Sequence, residues 1–112
     1  MFSREFMKLG IILYSNDPET VYQAFRLGLF ALKKNDSVDV FFLAKGVECE
    51  SLDNKDFNVT DQIKDFINQG GRTFTCTSCL KIRQKGATDI CPLSTMADLY
   101  RIIAESDRVI TL

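Results

Sequence analysis

Apolar and polar positions fall into blocks along the chain, and the blocks differ in period. Residues 8–14 are a nearly continuous run rich in Ile and Leu, closed by Ser15-Asn16-Asp17-Pro18. Strand length and apolarity without alternation predict a strand buried on both faces. Asp17 then caps, and Pro18 opens, a helix that runs to about Lys33. Val21, Ala24, Phe25, Gly28 and Leu32 share one face of it at helical spacing. Leu27 and Phe30 fall outside that face; at ~100° per residue Phe30 sits almost opposite Val21, as a half-exposed aromatic or a subunit contact. Residues 37–44, rich in branched and aromatic side chains, predict a second strand. The polar, acidic stretch 45–57 reads as a loop carrying Gly46 and Cys49.

A second helix starts at Asn58 or Thr60, buries Ile63, Phe66 and Ile67, and ends before Gly70-Gly71. Residues 72–76 predict a third strand ending on a thiol, followed by a turn or helical segment to Gly86 and an irregular stretch to Pro92. Ser94 or Thr95 caps a last helix, with Asp98 completing a capping box from Thr95. Met96, Leu99, Tyr100 and Ile103 are its expected inner stripe, and 108–112 a final short strand. Residues 1–6 show no period and read as a frayed extension of a single domain. Strands alternating with helices imply an α/β sandwich on a mainly parallel sheet with right-handed crossovers. Functional groups in such sheets gather beyond the carboxyl ends of the strands. The loops holding Ser15 and Asn16, Cys49, and Cys76 all reach that edge, so Cys49 is an expected neighbour of Cys76.

Composition changes this picture mainly by exclusion. The 112 residues are 46% hydrophobic and 26% charged with a net charge of −1, which gives no global basic field for nucleic acid. The early apolar run is too short for a membrane span and lacks a cleavage site, so a cytoplasmic location is expected. There thiols stay mostly reduced, and the four cysteines point to reactivity or metal rather than a disulfide framework. The chain has no histidine, which excludes Cys-His nucleophile pairs and every zinc site needing imidazole.

The window from Arg72 to Gly86 concentrates the chemistry. It holds Cys76 and Cys79, the cations Arg72, Lys81, Arg83 and Lys85, and no carboxylate. A free thiol pKa of ~8.5 falls to roughly 3.5–7.5 near cations, in a Cys-x-x-Cys pair or at a helix N-terminus. Three uses remain open. Cys76 could carry sulfane sulfur as a persulfide, which needs an accessible thiolate, nearby cations and a partner protein but no histidine or cofactor. Cys76 and Cys79 could form a dithiol–disulfide couple. Cys49, Cys76, Cys79 and Cys91 together could make a four-thiolate zinc site, although a single Cys-x-x-Cys signals that only weakly. Against all three, Cys49, Cys79 and Cys91 could be small buried apolar residues, and Lys81, Arg83 and Lys85 a solvated face.

The run from Lys8 to Tyr14, the Asp17-Pro18 opening, the strand-borne Cys76-Thr-Ser-Cys79 with Gly86, the Ser94-Thr-Met start and the Asp107 to Leu112 finish together resemble the DsrE/DsrF-like family of sulfur-relay proteins. The resemblance covers nearly the whole chain from Met7 on. It implies a three-layer α/β/α sandwich, with Cys76 as the reactive cysteine and Cys79 as a resolving or assisting thiol. It implies a sulfur carrier of sulfurtransferase type if active, with donor and acceptor proteins as partners. Lys81, Arg83 and Lys85 would tune the site or dock a partner; where relatives often show Arg-Gly, this chain keeps the charge with Lys85-Gly86. Assembly as a trimer or hexamer is implied too, with Leu27 and Phe30 as interface candidates. A scaffold subunit without transfer activity is the alternative, because some members of the family lack a demonstrated role in sulfur transfer.

Overall fold

The computed structural model describes residues 6–112; the expected frayed segment lies, but for Phe6, outside them. The order is β1 (Lys8–Leu13), α1 (Pro18–Lys33), β2 (Ser37–Phe42), a 3-10 helix (Ala44–Ser51), α2 (Val59–Asn68), β3 (Arg72–Cys76), α3 (Thr77–Ile82), β4 (Leu93–Ser94), α4 (Met96–Glu105) and β5 (Arg108–Thr111). The five strands form one sheet in the order β4-β3-β2-β1-β5, and every pairing is parallel. The expected α/β architecture on a parallel sheet is therefore the observed one. No helix among the described residues is long and apolar enough to cross a membrane.

Register divides the side chains of the sheet. Leu9, Ile11 and Leu13 of β1 lie beside Val38, Val40 and Phe42 of β2, all buried. This face meets α1 and α2: Phe25 of α1 touches both Phe42 and Phe66, with ring centroids 5.8 and 5.1 Å apart. On the other face Gly10 leaves room for α4, since a Cβ there would meet Ile102 and Ser106 at 2.9 and 2.8 Å. Next to it Asp39 and Arg72 pair across β2 and β3 through two 2.8 Å contacts. Arg72 and Arg101 both approach the Phe74 ring, with 5.6 Å to the centroid in each case.

The caps formed as the sequence indicates. Asp17 accepts from the Thr20 N–H at 2.8 Å, and Thr95 with Asp98 forms a capping box. Two elements differ from expectation. The stretch 45–57 is no plain loop: its first part is a 3-10 helix that buries Gly46, Val47 and Cys49. The inner stripe of α4 is Leu99 and Ile102, while Met96, Tyr100 and Ile103 are exposed. Leu99 and Ile102 are three apart, so a narrow face suffices where one helix lies on a sheet. Helical spacing alone fits the wetter stripe equally well. On α1 the expected face is buried except Leu32, which is half-buried, and Ala31 joins it; Leu27 and Phe30 are exposed. β4, a two-residue strand inside an irregular stretch, carried no pattern long enough to read.

Candidate functional site

The carboxyl ends of β3 and β4 frame a cleft of about 280 Å³, lined by Cys76, Thr77, Ser78, Lys81, Ser94, Thr95 and Met96. Its shape follows from where two helices begin. Cys76 ends β3 and is also the N-cap residue of α3, and Thr95 is the N-cap of α4 on the other wall. The Thr77 hydroxyl donates to the Ser94 carbonyl at 2.7 Å, and the Ser94 hydroxyl accepts from the Thr75 N–H at 3.2 Å. These bonds hold the two walls together.

Cys76 is recessed, with only 4% of its surface exposed, so a reactant must enter the cleft to reach its sulfur. The sulfur lies 3.2 Å from the Ser78 hydroxyl. Burial pushes this thiol up, but the Cys79 thiol, the Ser78 hydroxyl and the N–H groups of both residues favour the anion, and the balance lies below the ordinary thiol range. Neither N–H makes a cap bond of ordinary geometry; they act as nearby dipoles of the helix start. Cys79 moves the opposite way: burial and the neighbouring Cys76 push it up, and the Ala44 N–H, 3.3 Å from its sulfur, and the Arg83 charge only partly oppose them. The two thiols therefore differ in role, one suited to ionise and one to keep its proton. Alkylation of Cys76 against pH should have its midpoint below the free-thiol value of ~8.5. Ser78→Ala should raise that midpoint, because a donor to the anion is lost while burial stays. A midpoint unchanged by Ser78→Ala would remove this hydroxyl from the account.

The cations of the window are placed unequally. Lys81 lines the cleft with Cys76. Arg83 turns away to Glu48, with Nε to Oε2 at 2.7 Å, and donates to the Cys79 carbonyl at 3.1 Å. Lys85 is exposed and acts on Glu48. Arg72 stands at the opposite end of β3, paired with Asp39. The window lacks carboxylates in sequence, yet the 3-10 helix delivers Glu48 into it. Asn16 donates to the same carboxylate at 3.2 Å, so the loops after β1, β2 and β3 meet as Asn16, Glu48 and Arg83. Ser15 instead accepts from the Asp17 N–H at 3.0 Å. Cys49 contacts Cys91, with sulfurs 3.5 Å apart. Among the described residues all four cysteines are free, and no group of three or more metal-ligating side chains gathers. Ser78 could have been found from its place between the two thiols; Glu48 gave no signal, because only the buried 3-10 helix aims it.

The sequence pattern of the DsrE/DsrF-like family matches residues 7–112. The chain belongs to the DsrE/DsrF-like family. Solved structures agree with this DsrE-like assignment in fold. The ychN protein from E. coli superposes with a TM-score of 0.81 at 17% identity, over 95% of this chain and 100% of that one. A protein of unknown function, MTH1491 from Methanobacterium thermoautotrophicum, superposes with a TM-score of 0.71 at 12% identity, over 93% and 98%. No curated protein matches the sequence.

Proposed function

We propose that this DsrE-like chain carries sulfane sulfur as a persulfide on Cys76 and passes it to a partner protein in the cytoplasm. The family is associated with sulfur relay. The observation that carries the reading is the contrast between the two thiols: Cys76 lines the cleft with its anion favoured, while Cys79 beside it is held protonated. Loading starts when the Cys76 thiolate attacks the outer sulfur of a donor persulfide R–S–SH. A bond forms from Cys76 to that sulfur, the donor S–S bond breaks, and the donor leaves as R–S⁻. Unloading is the same step in reverse direction, with an acceptor thiolate attacking the outer sulfur and Cys76 leaving as thiolate. Lys81, on the cleft wall, offsets the negative charge of the carried sulfur. Cys79 is the resolving thiol: its attack on the inner sulfur of Cys76 would form the Cys76–Cys79 disulfide and release HS⁻.

Intact mass after incubation with a low-molecular-mass persulfide tests this. One added sulfur atom is expected on wild type, absent from Cys76→Ser and retained by Cys91→Ser. An adduct confined to Cys49 or Cys91 would take Cys76 out of the mechanism, and no adduct would favour the scaffold reading.

The exposed apolar residues support self-association. Leu27 and Phe30 on α1, and Met96, Tyr100 and Ile103 on α4, stay wet in the single chain. Full burial of such a side chain stabilises by about 1.5–3 kcal/mol. A trimer or hexamer is expected by sedimentation of wild type. Phe30→Glu should reduce it; an oligomer that resists Phe30→Glu but yields to Tyr100→Glu moves the contact to α4. A monomeric wild type sinks the assembly.

A further inference from the structure

Behind the cleft lies a second pair of thiols that the proposed carrier chemistry does not use. Cys49 sits in the 3-10 helix and Cys91 in the irregular stretch before β4. They are 42 residues apart in sequence, both are buried, and their sulfurs are 3.5 Å apart. Two sulfurs at that separation are in contact and face each other. A disulfide has its sulfurs at about 2.05 Å, so bond formation needs roughly 1.5 Å of closure shared between two segments. Neither segment is a sheet strand or a long helix, the elements least able to shift.

We propose that Cys49 and Cys91 are a second redox site, forming a reversible disulfide when the chain meets hydrogen peroxide. The chemistry closes without any group foreign to the pair except the oxidant. The Cys91 thiolate attacks one peroxide oxygen and the O–O bond breaks. With one proton taken up, this gives Cys91–SOH and water. The Cys49 sulfur then attacks the Cys91 sulfur, the S–O bond breaks, and the second water leaves with the Cys49 proton. Overall two thiols and one peroxide give one disulfide and two waters. Cys91 is the attacking thiol because Cys49 donates to it: that hydrogen bond favours the Cys91 anion and, with burial, keeps Cys49 protonated.

Access to the pair is through the stretch carrying Cys91. Thr88 covers it, donating to Glu50 at 2.6 Å and accepting from the Cys91 N–H at 3.0 Å. Residues 83–92 form no helix or strand. Segments of that kind open locally at far lower cost than the sheet. The Thr75 hydroxyl lies close enough to favour the Cys91 anion but makes no ordinary hydrogen bond, so the cavity wall is also polar on the strand side.

The consequence reaches the cleft. The 3-10 helix carries Ala44 and Glu48, which hold Cys79 and Arg83. The Cys91 stretch runs directly into Ser94, Thr95 and Met96 of the opposite wall. A Cys49–Cys91 bond would tie the two sides of the Cys76 cleft together covalently.

The test uses the full chain with Cys76→Ser and Cys79→Ser, so that only Cys49 and Cys91 remain and the outcome is independent of any persulfide chemistry. After hydrogen peroxide the intact mass should fall by two hydrogens, and both thiols should be lost to alkylation in denaturant. Proteolysis should give a linked pair of peptides containing Cys49 and Cys91, separated by dithiothreitol. The oxidised protein should also melt higher, by roughly 10 °C, since the bond closes a loop of about 40 residues. This rise should be absent when Cys49→Ala is added. Two thiols still alkylated after peroxide, separate sulfinic acids on each, or a disulfide-linked dimer would each overturn the proposal.

Discussion

Phe66→Ala should destabilise the fold by about 3–5 kcal/mol, the usual cost of deleting a fully buried aromatic ring. The ring is fully buried and meets Phe25 edge-on at 5.1 Å. Two glycines are shaped around it. A Cβ on Gly71 would come within 2.3 Å of the ring, and one on Gly28 within 2.8 Å. The ring therefore fills the space where α1, α2 and the start of β3 converge. Both flanking positions are already at minimum size, so the site can collapse only by moving α1 against α2. Against a typical total of about 5–15 kcal/mol, the loss should show as a fall of roughly 10–20 °C in Tm. The urea midpoint should fall with an unchanged slope. Phe30→Ala is the control: that ring is half exposed, with the Lys34 ammonium 5.4 Å from its centroid. It should change stability by less than about 1 kcal/mol in a monomeric reference. A Phe66→Ala loss as small as that of Phe30→Ala would mean the ring is not the keystone described.

This core was legible in the sequence. Phe66 falls at helical spacing from Ile63, and the two glycines after α2 mark its end. β1 and β2 were legible too, because strands covered on both faces must be apolar without alternation. α4 was misread because its two faces are both apolar. Spacing finds a stripe but does not say which of two stripes meets the sheet, and the exposed one carries Tyr100, the larger residue. The 3-10 helix was invisible for a different reason. Its burial rests on Gly46 and on a backbone bond from the Gly46 N–H to the Leu43 carbonyl at 2.9 Å, and neither leaves a periodic trace.

The site was legible to the same depth. Cys76 stands out because a strand of Thr and Phe ends on it and a cation-rich turn follows. The structure assigns those cations differently from their sequence proximity: one faces the cleft, one is neutralised by Glu48, and one is on the surface. Counting charges along the chain cannot anticipate a carboxylate that arrives from 35 residues away. Likewise Cys49 was placed at the right edge of the sheet, but its contact, Cys91, lies in a stretch with no pattern of its own.

Gly46→Ala should be the most disruptive single methyl in the chain. A Cβ there would lie 2.0 Å from the Leu13 carbonyl oxygen and 2.9 Å from its carbon, both backbone atoms of a strand paired on both sides. No side-chain rotation can relieve this, and β1 cannot move without breaking two ladders, so the 3-10 helix must lift. The cost should reach or exceed about 3 kcal/mol, the upper end for overpacking a core. The effect should also be chemical, since the 3-10 helix supplies the Ala44 N–H to Cys79, the Glu48 carboxylate to Arg83, and Cys49 itself. In the native protein Cys49 is fully buried and should react with iodoacetamide only slowly. In Gly46→Ala it should react at least about tenfold faster at a temperature where circular dichroism still shows the folded sheet, because local opening at a cost lowered by 1.4 kcal/mol is ten times more populated. Gly86→Ala supplies the comparison, because nothing lies within 4 Å of a Cβ at that position. It should leave both the Tm and the Cys49 rate at wild-type values. A Gly46→Ala protein as stable as Gly86→Ala, with Cys49 equally protected, would show that the 3-10 helix has room to spare against β1 and does not brace the thiol cleft.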